Sequence, residues 1–96
     1  VVRSDGTVMH ALAIIYVLRG LDDVGEFRFI QHETRRAEVL VVPRDAWSQE
    51  ATRRVVSGIQ ARLGADCAVE VDLVDTIAPE ASGKPRYVVS HVKLPF

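Results

Sequence analysis

The spacing of apolar positions changes repeatedly along this chain, and each change marks an element. Val1 and Val2 are followed by Ser4-Asp5-Gly6, a turn sequence because Asp-Gly readily supplies positive φ, and Thr7-Val8-Met9 extends again, so the chain opens with a short hairpin. Residues 10–21 are mostly apolar and close on Arg19-Gly20, which predicts a helix even though β-branched Ile14, Ile15 and Val17 lower its intrinsic propensity. Over residues 24–31 the period drops to two, with Phe27 and Phe29 on one side and Glu26 and Arg28 on the other. That alternation is the mark of a strand buried on one face. The polar stretch His32-Glu33-Thr34-Arg35-Arg36 turns the chain, and residues 37–42 return as the antiparallel partner until Pro43 ends it.

The period then lengthens. Trp47, Ala51, Val55, Ile59 and Leu63 recur at every fourth position, while Arg53, Arg54 and Arg62 occupy other faces, which predicts an amphipathic helix lying on a sheet. Asp45 or Ser48 would cap its start and Gly64 would stop it. Val69, Val71 and Leu73 alternate with Glu70 and Asp72 to give the next strand, a loop occupies residues 76–83, and a short extended segment covers residues 86–92. The order is hairpin, helix, strand, strand, helix, strand, loop, short strand. It predicts an α+β two-layer sandwich of a small mixed sheet with two helices, ferredoxin-like in its central part and preceded by a short β-hairpin.

Ninety-six residues make a single domain, residues 1–96, with a modest core. Twelve Lys plus Arg against 13 Asp plus Glu give a net charge of -1, which argues against a nucleic-acid binder or a polybasic membrane module. No apolar run approaches the roughly 20 residues that span a bilayer. A single cysteine, Cys67, has no partner for an internal disulfide and fits a reducing, cytoplasmic setting, where it reads as a buried or half-buried thiol. The chain opens at Val1 without a methionine and reads as a piece of a longer protein.

Candidate chemistry concentrates near the end. In Pro79-Glu80-Ala81-Ser82-Gly83-Lys84 a proline opens a loop, a Ser-Gly pair bends it, and a lysine follows the bend, with Arg86 just beyond. On the residues alone this is either a solvated β-turn or a loop that presents Lys84 to something outside the domain. It is not a phosphate-binding P-loop, since it lacks the leading glycine and the Ser/Thr after lysine. His10, His32 and His91 are scattered, with no i, i+4 pair and no cysteine partner, so no metal site is predicted. Ser90-His91 is no nucleophile–base pair, because strand neighbours point to opposite faces.

The pattern Pro-x-x-Ser-Gly-Lys-x-Arg, residues 79–86, resembles the C-terminal lysine motif of adenylate-forming enzymes, which activate carboxylic acids with ATP. Val2-Arg3-Ser4-Asp5-Gly6-Thr7-Val8 resembles the hydrophobic-Lys-x-x-Gly-x-hydrophobic hairpin that follows the hinge of that family, with Arg3 in place of the usual lysine. The hinge would then fall just before Val1, and the resemblance spans essentially the whole chain. Arg86-Tyr87-Val88-Val89-Ser90-His91-Val92 is similar to the phenylacetate–coenzyme A ligase branch and its capsule-biosynthesis-like relatives. One departure is His10-Ala11-Leu12-Ala13-Ile14, where most ligases carry Pro-x-Glu-hydrophobic-Glu, and it leaves the acceptor open.

The resemblance implies a mobile C-terminal lid that works with its own N-terminal adenylation domain on a carboxylic-acid substrate. ATP with Mg, and coenzyme A as a thiol acceptor, would be bound by the full-length enzyme and not by this domain alone. Lys84 would be the catalytic cation, Gly83 and Arg86 would meet the nucleotide, and Arg3 and Gly6 would line the acceptor tunnel. The alternative is a free-standing ferredoxin-like regulatory module that binds a small molecule. An RNA-binding version of the fold is disfavoured, because the strands lack interleaved stacking aromatics.

Overall fold

The computed structural model describes residues 1–78 and 87–92. Helix α1 spans Leu12–Arg19, α2 spans Gln49–Leu63, and the strands are β1 (Val24–Glu33), β2 (Arg36–Pro43), β3 (Ala68–Leu73) and β4 (Val88–Ser90). The strands form one mixed sheet in the order β3-β2-β1-β4. β1 and β2 are an antiparallel pair, whereas β2–β3 and β1–β4 run parallel. The β2–α2–β3 crossover joins neighbouring parallel strands, and Val2 bridges Val8 to close the N-terminal hairpin. The two-layer α+β sandwich predicted from the hydrophobic pattern is the fold observed.

Both helices cover one face of the sheet. Ile14 and Leu18 from α1 and Val55, Ile59 and Leu63 from α2 pack with Phe27, Phe29, Val39 and Val41 into a single core. These are the inward positions of the two alternating strands, so the period-two and period-four stripes meet each other. The predicted buried state of Cys67 holds, and desolvation raises its thiol pKa above the ordinary range.

The structure refines the expected boundaries and faces. α1 is shorter than residues 10–21, because the Leu12 amide donates to His10 Nδ1 at 3.1 Å and the chain enters the helix only after that turn. β1 runs on through His32 and Glu33, which were expected in the turn. Its second face is open to solvent, so polar residues continue the ladder, and Glu33 pairs across to Arg36 with the two side chains 3.4 Å apart. α2 starts at Gln49, capped by Ser48, one of the two caps expected: its Oγ accepts from Ala51 N at 3.1 Å. Trp47 lies just outside, donating from Nε1 to Thr52 Oγ1 at 2.8 Å and packing on the core, which fixes the entry angle of the helix. Leu73, expected to point inward, is 49% exposed at the end of edge strand β3.

Candidate functional site

The hairpin is a built turn. Arg3 N donates to Thr7 O at 2.7 Å, Gly6 N donates to Arg3 O at 2.8 Å, and Asp5 Oδ1 accepts from both Thr7 N (2.9 Å) and Thr7 Oγ1 (2.6 Å). The Thr7 hydroxyl, followed by the Thr7 amide, holds the Asp5 carboxyl below its usual range. Gly6 takes φ +90°, a conformation L-residues rarely adopt, and a Cβ built there would meet nothing within 4 Å. The tip of the turn therefore faces open space, and Arg3 is exposed beside it.

Two tethers hold the hairpin to the domain. Ser4 N donates to Leu63 O at 2.7 Å at the end of α2. The approach is close enough that a Cβ on Gly64, whose φ is +134°, would lie 2.9 Å from Ser4 Cβ. The Ser4 hydroxyl, with Arg35 as a lesser contributor, keeps the Asp66 carboxyl below its ordinary pKa, and Arg35 Nε lies 3.0 Å from Asp66 Oδ2. The second tether is Gln31 on β1. Its Oε1 accepts from Val2 N at 3.0 Å, and its Nε2 donates to Val2 O at 2.6 Å.

Gly83, Lys84 and Arg86 lie outside the described residues, but the chain on either side of residues 79–86 is placed, and both ends are fastened to β1. Arg28 Nη2 donates to Ala78 O at 2.8 Å, and the next residue, Phe29, donates its N–H to Tyr87 O at 2.7 Å. The Tyr87 ring sits 5.2 Å from Phe27 and beneath the Arg19 guanidinium, whose Cζ is 5.0 Å from the ring centre. Past it, Val88 packs on the core and Ser90 Oγ donates to Gln31 Oε1 at 3.1 Å. The strand leaving the candidate loop and the hairpin carrying Arg3 and Gly6 thus meet on one buried amide. No local pattern signals this meeting, since β4 pairs with β1 over only Phe29↔Val88, Ile30↔Val89 and Gln31↔Ser90, far apart in the chain.

Over residues 1–91 the sequence matches the family described as CapK C-terminal domain. The chain belongs to the CapK C-terminal domain family. No curated protein and no solved structure matches it. The matched span takes in the hairpin and residues 79–86 alike, so this CapK C-terminal domain carries both candidate segments inside the family's bounds. The family's description also implies an N-terminal partner domain in the full protein.

The CapK C-terminal domain has a second polar group that sequence reasoning missed. On the sheet face away from the helices, the His91 and His32 rings stack 6.0 Å apart at 26°, and His32 Nε2 lies 3.0 Å from Glu38 Oε1. The histidines that looked scattered in sequence are in part adjacent, because the parallel β1–β4 register brings the ends of those strands together. Glu38 shares a hydrogen bond with Asp72 on β3. That bond, with desolvation and the Glu38 charge, pushes the Asp72 carboxyl up to about 6, while the same bond and His32 hold Glu38 below its usual range. Among the described residues no group of three or more His, Cys, Asp or Glu could hold a metal ion, and no helix is long and apolar enough to cross a membrane.

Proposed function

We propose that this chain is the mobile C-terminal domain of an ATP-dependent acyl-adenylating ligase of the capsule-biosynthesis-like, phenylacetate–coenzyme A ligase-like branch. It would act with its own N-terminal adenylation domain, first joining a carboxylic acid to AMP and then passing the acyl group to a thiol such as coenzyme A. The observation that best supports this is that Ala78 and Tyr87, the residues bracketing 79–86, are held to Arg28 and Phe29 of β1, with the tip of the Gly6 hairpin open to solvent. The hairpin is held at its base with its tip open, and the residues on either side of 79–86 are held to one strand.

Adenylation brings two anions together and shifts further charge onto oxygen in the transition state. A preorganised cation there offsets the repulsion and stabilises the developing charge. Lysine suits the task as a compact charge on a long stem. Lys84 is that cation, and Gly83 and Arg86 serve nucleotide binding. None of the described segments forms a glycine-rich phosphate cradle, so the nucleotide pocket and its Mg belong to the partner domain. Arg3 and Gly6 serve the second half-reaction, in which a glycine lets the thiol acceptor pass close to the backbone.

The test is made in the full-length protein by single-turnover rates of the two half-reactions. Lys84→Ala should slow pyrophosphate release by roughly two to three orders of magnitude, the scale of losing one preorganised stabiliser. Its stability should change by no more than about 0.5 kcal/mol. Transfer from a supplied acyl-adenylate should be largely spared. Adenylation at the wild-type rate would remove the main support for the ligase function and favour a free-standing binding module.

Gly6 calls for a pair of variants. Alanine and tryptophan both incur the positive-φ strain, on the order of 1–2 kcal/mol, but only tryptophan fills the space in front of the turn. Gly6→Trp should slow acyl transfer well beyond Gly6→Ala while leaving adenylation nearly intact. Equal slowing by the two would assign the whole effect to the turn.

A further inference from the structure

Gln31 is the one buried polar side chain among the described residues other than the Cys67 thiol, with none of its surface exposed. An apolar residue at this inward position of β1 would satisfy the core, so the amide needs a reason. Its bonds supply one. Val2 is matched by both its N–H and its C=O, the pairing a neighbouring strand would offer, yet here the partner is a side chain. Val2 fixes which end of the amide is oxygen, since its N–H requires an acceptor and its carbonyl a donor. Ser90 Oγ then donates to that same oxygen and accepts from Val92 N at 3.3 Å. The backbone of the same residue also receives β4, through His91 N to Gln31 O at 2.9 Å.

The hairpin has no ladder of its own with the sheet; Val2↔Val8 is an isolated bridge within it. Ser4 ties it to the end of α2, but its hydrogen bonds to β1 run through the orientation of one amide, and that orientation is shared with β4. We propose that Gln31 is a positioning residue that locks the Arg3–Gly6 hairpin to the strand receiving the Lys84 segment, so that the two move as one body. Resting on the adenylation function proposed above, this would keep the groups for the two half-reactions in a fixed relation while the domain changes its orientation. A buried, partnered polar contact suits such a task, because it is strong in one geometry and costly in every other.

Amide hydrogen exchange on the full-length protein tests the coupling independently of catalysis. Ser90→Ala removes a hydroxyl that touches β4 and Gln31 but no part of the hairpin. It should nevertheless speed exchange in residues 1–9 by about two- to tenfold, the loss of one net hydrogen bond, together with residues 87–92. Loosening of 87–92 with 1–9 unchanged would overturn the proposal. Gln31→Glu adds a readout that simple core damage would not move. Burial raises its carboxyl, and the neutral acid can still donate to Val2 O, whereas the carboxylate cannot. After correction for intrinsic base-catalysed exchange, both segments should be protected at low pH and lose protection together as pH rises. A pH-independent loss, or a loss in only one segment, would also overturn it. If the variants couple in exchange but the wild-type protein releases no pyrophosphate with any carboxylic acid, the ligase function fails and the lock stands. If Lys84→Ala is inactive while Gln31→Glu and Ser90→Ala leave both half-reactions and both segments untouched, the lock fails and the ligase function stands.

Discussion

Beneath the helices, the sheet shows water almost nothing: Phe29, Val39 and Val41 are fully buried, and Gln31, the polar exception, has its oxygen and one amide hydrogen taken up by Val2 and Ser90. On the opposite face, Ile30, Leu40 and Val89 are half-buried among His32, Glu38, Asp72 and the exposed His91. The covered face admits a polar group only when it is neutral and partnered, because an unmatched one would cost on the order of 1–3 kcal/mol. The open face tolerates carboxylates side by side and answers with shifted protonation. Position is fixed on one side of the sheet, and charge is adjustable on the other.

The difference can be tested first where it is largest. Phe29→Ala removes a fully buried ring and should cost about 3–5 kcal/mol in urea unfolding. Leu40 pairs with Arg28 on the open face, and Leu40→Ala should cost about 1 kcal/mol or less, since much of that side chain already meets water. Equal losses would mean that the open face is a second core. The smallest effect is also the most specific. The folded-state carboxyl of Asp72 sits at about 6 against an ordinary 3.8, so the folded chain holds a proton there that the unfolded chain has released. Stability should therefore fall as pH rises from 4.5 through 6, when Asp72 ionises against Glu38. Glu38 is lowered from 4.5, so its own contribution is lost only as pH falls below that window. Asp72→Asn should flatten the slope, and a slope that persists in that variant would place its origin elsewhere.

Local pattern makes much of this architecture legible in the sequence. The four-residue recurrence from Ala51 to Leu63 marked α2 and its buried side, and the alternation around Phe27 and Phe29 marked β1. Asp5-Gly6 announced its turn because only glycine takes φ +90° without strain. Polar residues were harder to place. His32 and Glu33 read as a turn because nothing in the sequence says that one sheet face will stay uncovered. Gln31 read as the polar end of a strand. That it faces inward follows from the alternation with Phe29, but its partners come from residues 2 and 90, and no period or motif links those positions. The Lys84 segment is the reverse case. Its motif stands out in sequence, and its residues lie outside those described.

The fastening of Ala78 and Tyr87 to consecutive residues of β1 has a consequence for how such a domain can change over time. A segment whose two ends are clamped by the scaffold can be lengthened or shortened without disturbing the scaffold's register. For a flexible segment, doubling its length adds only about 0.6 kcal/mol of closure entropy. What lies between the two posts becomes a matter of insertions and deletions alone. Diversification could then proceed by loop length, with the sheet inherited unaltered.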